Sequence, residues 1–198
     1  MTATELKERW DPELTRAVNS ALGVNASRKG GFDPSPALPE AVGVFEGRID
    51  LRGLVVSVIL KGLQITGWDF SHCTLKQFGQ FSAYNHLVDC RFLGAKLGTN
   101  LRDRFERCDF SKANLTGATL GSAFIGCTFD KARLSKVLGD QVAFDSCSFR
   151  GTKLSEVQLT RCRFIRCDFG DARFSGGSIA GSTFDDCGEL PDLDDVLA

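Results

Sequence analysis

The chain has 198 residues and a formal net charge of −1 at pH 7, with 24 Lys and Arg against 25 Asp and Glu. That length suits one domain, and the balanced charge leaves no global field to draw in a polyanion. The longest apolar run, Leu54 to Leu60, is far too short to span a bilayer.

The first ten residues, Met1 to Trp10, are charged and lack an apolar centre. No signal peptide is therefore expected, and a cytoplasmic location follows. Asp11-Pro12-Glu13 reads as an N-cap with proline at the first helical position. Leu14, Ala17, Val18, Ala21 and Leu22 mark one apolar face, and Gly23 ends the helix. The stretch from Gly23 to Gly43, with Pro34, Pro36 and Pro39, reads as an ordered strap or a linker. Residues 1–44 are thus expected to cap the rest of the chain, since an open β-edge invites aggregation. The competing reading is a dimerisation or docking helix, so the chain is expected as a monomer or a dimer.

From residue 45 to 187 the dominant signal is a period of five. Phe144, Phe149, Leu154, Leu159, Phe164, Phe169, Phe174, Ile179 and Phe184 are large and apolar. Two residues before each stands a mostly small one, such as Val142, Cys147, Thr152, Val157, Cys162 and Cys167. The phase runs back through Leu134, Phe129 and Phe124 with Gly139 as a weak centre, loses one residue, and resumes at Leu120, Leu115, Phe110 and Phe105. Weaker traces continue to Leu60, and the short coils between Phe70 and Phe105 point to tightened corners or a local irregularity. A helix shows spacings of three and four, and a half-exposed strand shows two. Five matches a square coil with four sides per turn and twenty residues per coil. Seven cysteines, Cys73, Cys90, Cys108, Cys127, Cys147, Cys167 and Cys187, fall at steps of 17, 18, 19, 20, 20 and 20. They read as one ladder, visited once per coil.

Ala113-Asn114-Leu115, Cys108-Asp109-Phe110 and Cys167-Asp168-Phe169 resemble the repeat of the pentapeptide-repeat family, in which Ala, then Asp or Asn, then Leu or Phe precede two variable residues. The resemblance implies an all-β solenoid, a right-handed quadrilateral β-helix, with a short N-terminal helix before it. This chain prefers Cys to Ala on one face and often replaces Asp or Asn by Arg, Lys, Thr or Ser. Some six to seven coils, stacked ~4.8 Å apart, make a rod of about 30 Å. The acidic segment 188–198, with Leu190, Leu193, Val196 and Leu197, is expected to cover the last coil.

The ladder cysteines read as buried, reduced, small core residues. Stacked Cα atoms lie within disulfide reach, but a cytosolic setting keeps thiols reduced. A straight column does not close a tetrahedral metal shell, and no cofactor is expected. The two histidines, His72 and His86, have no identifiable orienting group and read as surface or corner residues. An enzyme is not expected.

Between Arg48 and Cys187 there are 19 Lys and Arg against 14 Asp and Glu, while both ends are acidic. Lys96, Arg133, Lys153 and Arg173 each precede an inward residue of the same face, with Asn114 interrupting the run. They form the candidate binding column; Arg161, Arg163 and Arg166 form a second basic group. The column reads either as a solvated face neutralised by neighbours such as Asp130, Asp145 and Asp171, or as a surface for an anionic partner. Function then divides two ways. The first reading is a non-catalytic scaffold binding an unidentified protein, an anionic ligand or a nucleic acid along a flat face. The second, implied by resemblance to the DNA-mimicking members of the family, is protection of a type II topoisomerase from quinolones. A DNA mimic presents an acidic face and this coil is net basic, which puts the scaffold first.

Overall fold

A computed structural model describes residues 1–24, 36–75, 85–97, 100–194 and 196. The chain winds into a four-sided β-solenoid of parallel, in-register coils. One side is a seven-stranded sheet running from Gln64–Thr66 through His86–Val88, Arg104–Glu106, Ala123–Ile125, Ala143–Asp145 and Arg163–Ile165 to Thr183–Asp185. Another sheet holds Asn100–Leu101, Thr119–Leu120, Leu138–Asp140, Lys153–Thr160 and Arg173–Ser178. The two remaining sides are stitched largely by single bridges, one through Arg91↔Asp109, Asp109↔Thr128 and Ser148↔Asp168, the other through Thr74↔Lys96, Lys96↔Asn114 and Asn114↔Arg133.

The five-residue period is the arithmetic of this square. The large centre of each side points inward, and the residue two positions later sits at the corner with positive φ. Arg107, Lys112, Lys131, Lys136, Gln141, Ser146, Arg161 and Arg166 all adopt φ between 48° and 60° there. Left-handed backbone costs a non-glycine residue roughly 1–2 kcal/mol. Regular hydrogen bonds to the next coil offset it: Arg107 N–H donates to the Ile125 carbonyl (2.8 Å), Lys131 to Arg150 (2.8 Å) and Lys136 to Ser155 (2.8 Å). At one corner the small residue then closes the turn, with Ala113, Ala132, Thr152 and Ala172 donating back to Phe110, Phe129, Phe149 and Phe169.

The core is built of columns. Phe105, Phe124, Phe144, Phe164 and Phe184 stack with centroids 4.8–5.2 Å apart. Phe70, Phe92, Phe110, Phe129, Phe149 and Phe169 form a second stack at 4.8–5.1 Å. Rings of the two stacks also meet edge to face, as in Phe105 and Phe110 at 5.4 Å and 76°. Leu97, Leu115, Leu134 and Leu154 line a third column, fully buried. At the weak centre, Gly139, Leu159 and Val142 already occupy the space: a Cβ there would lie 2.8 Å from Leu159 Cδ2.

The structure corrects the cysteine ladder. Six thiols, Cys90 to Cys187, share one corner, and five of them, Cys108 to Cys187, face a carbonyl of the coil below, as Cys108 Sγ does with Leu87 (3.4 Å) and Cys147 Sγ with Phe124 (3.3 Å). Cys73 belongs to a different corner. The bridge Thr74↔Lys96 places it below Ala95, Ala113, Ala132, Thr152 and Ala172, and the bridge Asp69↔Arg91 puts Trp68 below Cys90. Every cysteine is a free thiol. Burial pushes the Cys73, Cys108 and Cys162 thiols up in pKa.

The residue lost before Phe124 comes out of a single corner. Thr119–Leu120 still pairs with Leu138–Gly139, and Ala123–Ile125 with Ala143–Asp145, so both flanking sides keep register. Leu101 to Phe105 is also a four-residue step. Its corner residue, Asp103, is buried and accepts from Asn85 N–H (3.1 Å) and Asn85 Nδ2 (2.8 Å). Asn85 in turn accepts from Leu63 N–H and donates to the Leu60 carbonyl. The rest of the irregular region, residues 76–84 and 98–99, lies outside the described residues.

Two helices precede the coil rather than one. Helix α1 spans Ala3–Glu8 behind a Thr2–Glu5 capping box. Helix α2 spans Pro12–Leu22, with the Asp11 carboxylate accepting from Glu13 and Leu14 N–H. Val18 and Leu22 are buried, while Ala17 of the expected apolar face is exposed. Asn19 of α2 locks onto the first coil, donating to the Val55 carbonyl (3.0 Å) and accepting from Ser57 N–H (2.7 Å). Trp10 Nε1 donates to the Arg52 carbonyl, and Arg9 pairs with Asp50. Gly53, at φ +78°, allows α1 to approach: a Cβ there would meet Leu6 O at 2.5 Å. Of the expected strap, residues 25–35 lie outside the described residues; a hairpin of β1 (Val44–Phe45) and β2 (Arg48–Asp50) follows it. At the other end Val196 is buried and Leu193 packs on the core, while Leu190 is exposed; the expected contact of Leu197 falls outside the described residues. Among the described residues, no helix is long and apolar enough to cross a membrane.

Candidate docking face

The register brings Lys96, Arg133, Lys153 and Arg173 into one line. Successive bridges join Thr74 to Lys96, Lys96 to Asn114, Asn114 to Arg133 and Arg133 to Lys153, and Lys153 pairs with Arg173 between adjacent strands. All four cations are exposed. Asn114 interrupts the line with a neutral side chain, its Oδ1 accepting from Thr116 N–H at 3.0 Å.

Several cations elsewhere on the coil are matched to carboxylates one coil away, while Lys112, Lys131 and Arg163 have no ion pair among the described residues. Arg107 holds Asp89 (2.8 Å), Arg150 holds Asp168 (2.9 Å), and Arg161 meets Asp140 through Nε at 2.9 Å. Arg166 pairs with Asp145, and Lys136 lies 3.7 Å from Glu156. Arg107 and Arg161 hold the Asp89 and Asp140 carboxyls below the usual range. The expected second basic group is therefore largely neutralised: of Arg161, Arg163 and Arg166, only Arg163 lacks an ion pair among the described residues. Within the same set, Lys96, Arg133, Lys153 and Arg173 have no ion pair at all. Exposed pairs contribute little to stability, but their absence here leaves like charges stacked, an arrangement that is unfavourable in itself.

Two residues along from Asn114, Arg133, Lys153 and Arg173, the same face carries Thr116, Ser135, Ser155 and Ser175, and Ser155 and Ser175 are register partners. Its fixed offset to the column made this hydroxyl line readable in the sequence. On the other flank, a hollow of about 650 Å³ at the corner is lined by Asp130, Lys131, Arg150, Gly151, Asp171 and the two cations Lys153 and Arg173. Asp130 is engaged by Ser148 Oγ (2.5 Å) and Arg150 N–H (3.1 Å) rather than by the column.

His86 Nε2 lies 2.8 Å from Glu106 Oε1, an oxygen that also accepts from Arg104 Nε at 2.6 Å. His72 sits at a corner with φ +59°. Among the described residues, no group of His, Cys, Asp or Glu is arranged to hold a metal ion.

Residues 99–174 match the family described as a pentapeptide repeat region. No curated protein sequence is significantly similar to the chain. Among solved structures, a trypsin-treated form of QnrB1, described as a plasmid-mediated fluoroquinolone resistance protein, is 17% identical with a TM-score of 0.46, covering 73% of this chain and 64% of that one. HetL, described as a pentapeptide repeat protein involved in heterocyst differentiation regulation, from the cyanobacterium Nostoc sp. strain PCC 7120, is 16% identical with a TM-score of 0.37, covering 68% and 65%. The chain thus spans less than two thirds of the length of these two solved proteins. Over residues 99–174 the period read from the sequence, the four-sided coil and the family match agree on a pentapeptide-repeat β-helix.

Proposed function

We propose that this pentapeptide-repeat coil is a non-catalytic scaffold that docks another macromolecule on the face bearing Lys96, Arg133, Lys153 and Arg173. The observation that carries the reading is the contrast in pairing. Arg107, Arg150, Arg161 and Arg166 are each matched to a carboxylate, whereas no cation of the column has an ion pair among the described residues. Repulsion among stacked cations is relieved when an anionic partner lies across them. A solenoid suits this role, because each coil adds one increment to a flat, rigid surface.

The test compares capture of partners by the wild-type protein, by a variant carrying Arg133→Glu, Lys153→Glu and Arg173→Glu, and by an Arg163→Glu control on another side. A partner retained by the wild type and the control but lost from the triple variant supports the face. Equal capture by all three refutes it. The topoisomerase reading needs an acidic face, and no outward column of the described coils is acidic at every level. Protection of a type II topoisomerase in a supercoiling assay with a quinolone would establish that reading instead.

A further inference from the structure

We infer that the partner segment is an acidic peptide in extended conformation, lying along the coil axis on the cation and hydroxyl lines. The inference rests on the docking-face reading above and gives it a ligand class.

The cation column is bounded on one side by the neutral hydroxyls Thr116, Ser135, Ser155 and Ser175, and on the other by a corner of mixed charge, where Asp130 and Asp171 stand beside Lys131 and an Arg150 already held by Asp168. A duplex, whose major groove alone is ~12 Å wide, overhangs such a strip and brings phosphates against those two aspartates. A single extended strand does not. The strip is also straight, because its members are register partners in parallel coils, whereas a phosphodiester backbone in a duplex curves away from a flat face.

The dimensions fit a short peptide. Lys96 to Arg173 spans four coil steps, or about 19 Å at ~4.8 Å each. An extended strand places every second side chain on one face, ~6.8 Å apart, so about six residues present three carboxylates over that length. The flexible stems of Lys and Arg absorb the difference between the two spacings. Ser135, Ser155 and Thr116 add hydroxyl donors beside the carboxylate line.

The experiment is fluorescence anisotropy with a labelled hexapeptide of alternating Glu and Ser, its Gln-for-Glu counterpart and a short labelled DNA duplex, each at low and at physiological salt. The acidic peptide is expected to bind at low salt and weaken as salt rises, with no binding of the Gln peptide. The Arg133→Glu, Lys153→Glu, Arg173→Glu protein, checked by circular dichroism, is expected to bind at least tenfold more weakly; a triple Gln variant serves if reversal prevents folding. Failure of the acidic peptide to bind overturns the inference. Tighter binding of the duplex, lost in the triple variant, overturns the peptide class but keeps the docking face. Equal peptide binding by wild-type and triple variant overturns both.

Discussion

Asp103 offers a test of the core through pH. It sits at a corner where other coils carry small residues such as Val142 and Cys162, and it is only 3% exposed. Burial raises its pKa to about 6, against which the two hydrogen bonds from Asn85 act in the opposite direction. An unfolded aspartate titrates near ~3.9. The folded state therefore holds the proton more tightly, and stability falls as pH rises. The contribution is fully present below the unfolded value and is lost as pH passes through about 6. The full difference is about 3 kcal/mol, of which roughly 2 kcal/mol falls between pH 4.5 and 7.5. Carboxyls held low by partners, Asp50 at about 2 and also Asp89, Glu106 and Asp140, change protonation below this window. Urea unfolding of wild-type and Asp103→Asn protein at pH 4.5 and 7.5 isolates the term. With a urea slope of ~1–3 kcal/mol per M, the wild-type midpoint is expected to drop by about 1 M relative to the variant across that range. Parallel pH profiles for the two proteins would refute the reasoning.

Phe149 lies between Phe129 and Phe169 in one stack, both 5.0 Å away. Phe149→Ala is expected to cost about 3–5 kcal/mol, and Phe149→Asp to unfold the coil because it buries an unpaired carboxylate; a stable Asp variant, seen by thermal melting, breaks the proposed register. Reducing agent is expected to leave the melting temperature unchanged, and the denatured protein to titrate eight thiols. A marked fall in melting temperature on reduction would show that the coils are stapled. Gly177 has φ +95° and a Cβ there would lie 2.1 Å from Val157 O, whereas Gly176, at φ +63°, has open space. Gly177→Ala is therefore expected to destabilise by several kcal/mol and Gly176→Ala by about 1 kcal/mol, a difference that denaturant titration resolves.

Much of the fold was legible because the inward slot is strict. A position closed on three sides by rings and backbone accepts Phe, Leu or Ile and little else, so Phe105 to Phe184 print their period into the sequence. The small slot is looser. It holds Cys, Ala, Thr, Val and even Trp68, and that tolerance led Cys73 into the wrong column. The coil from Cys73 to Ala95 is in fact 22 residues long, and the extra length hid the phase. Asn85 and Asp103 were invisible for the same reason, since nothing local distinguishes a buried polar pair from a surface one. The basic column was legible from its fixed place before each inward residue. Its lack of counterions was not, because pairs such as Arg161 with Asp140 join residues 21 apart and depend on how each long side chain is turned.

The four-residue and five-residue steps carry a consequence for how such a chain changes length. A duplicated block of twenty residues, such as Lys153 to Ala172, returns the chain to the same side, so it lengthens the rod by one level and adds one cation to the existing line. A block of five inserted after Arg133 keeps every inward slot filled but turns all later coils by a quarter. Lys153 and Arg173 would then stand on the neighbouring side, and the charged line would be cut in two although the core is intact. Addition in whole turns preserves the address of each side chain, and addition in single sides rewrites it, so this molecule has one inheritance for stability and another for recognition.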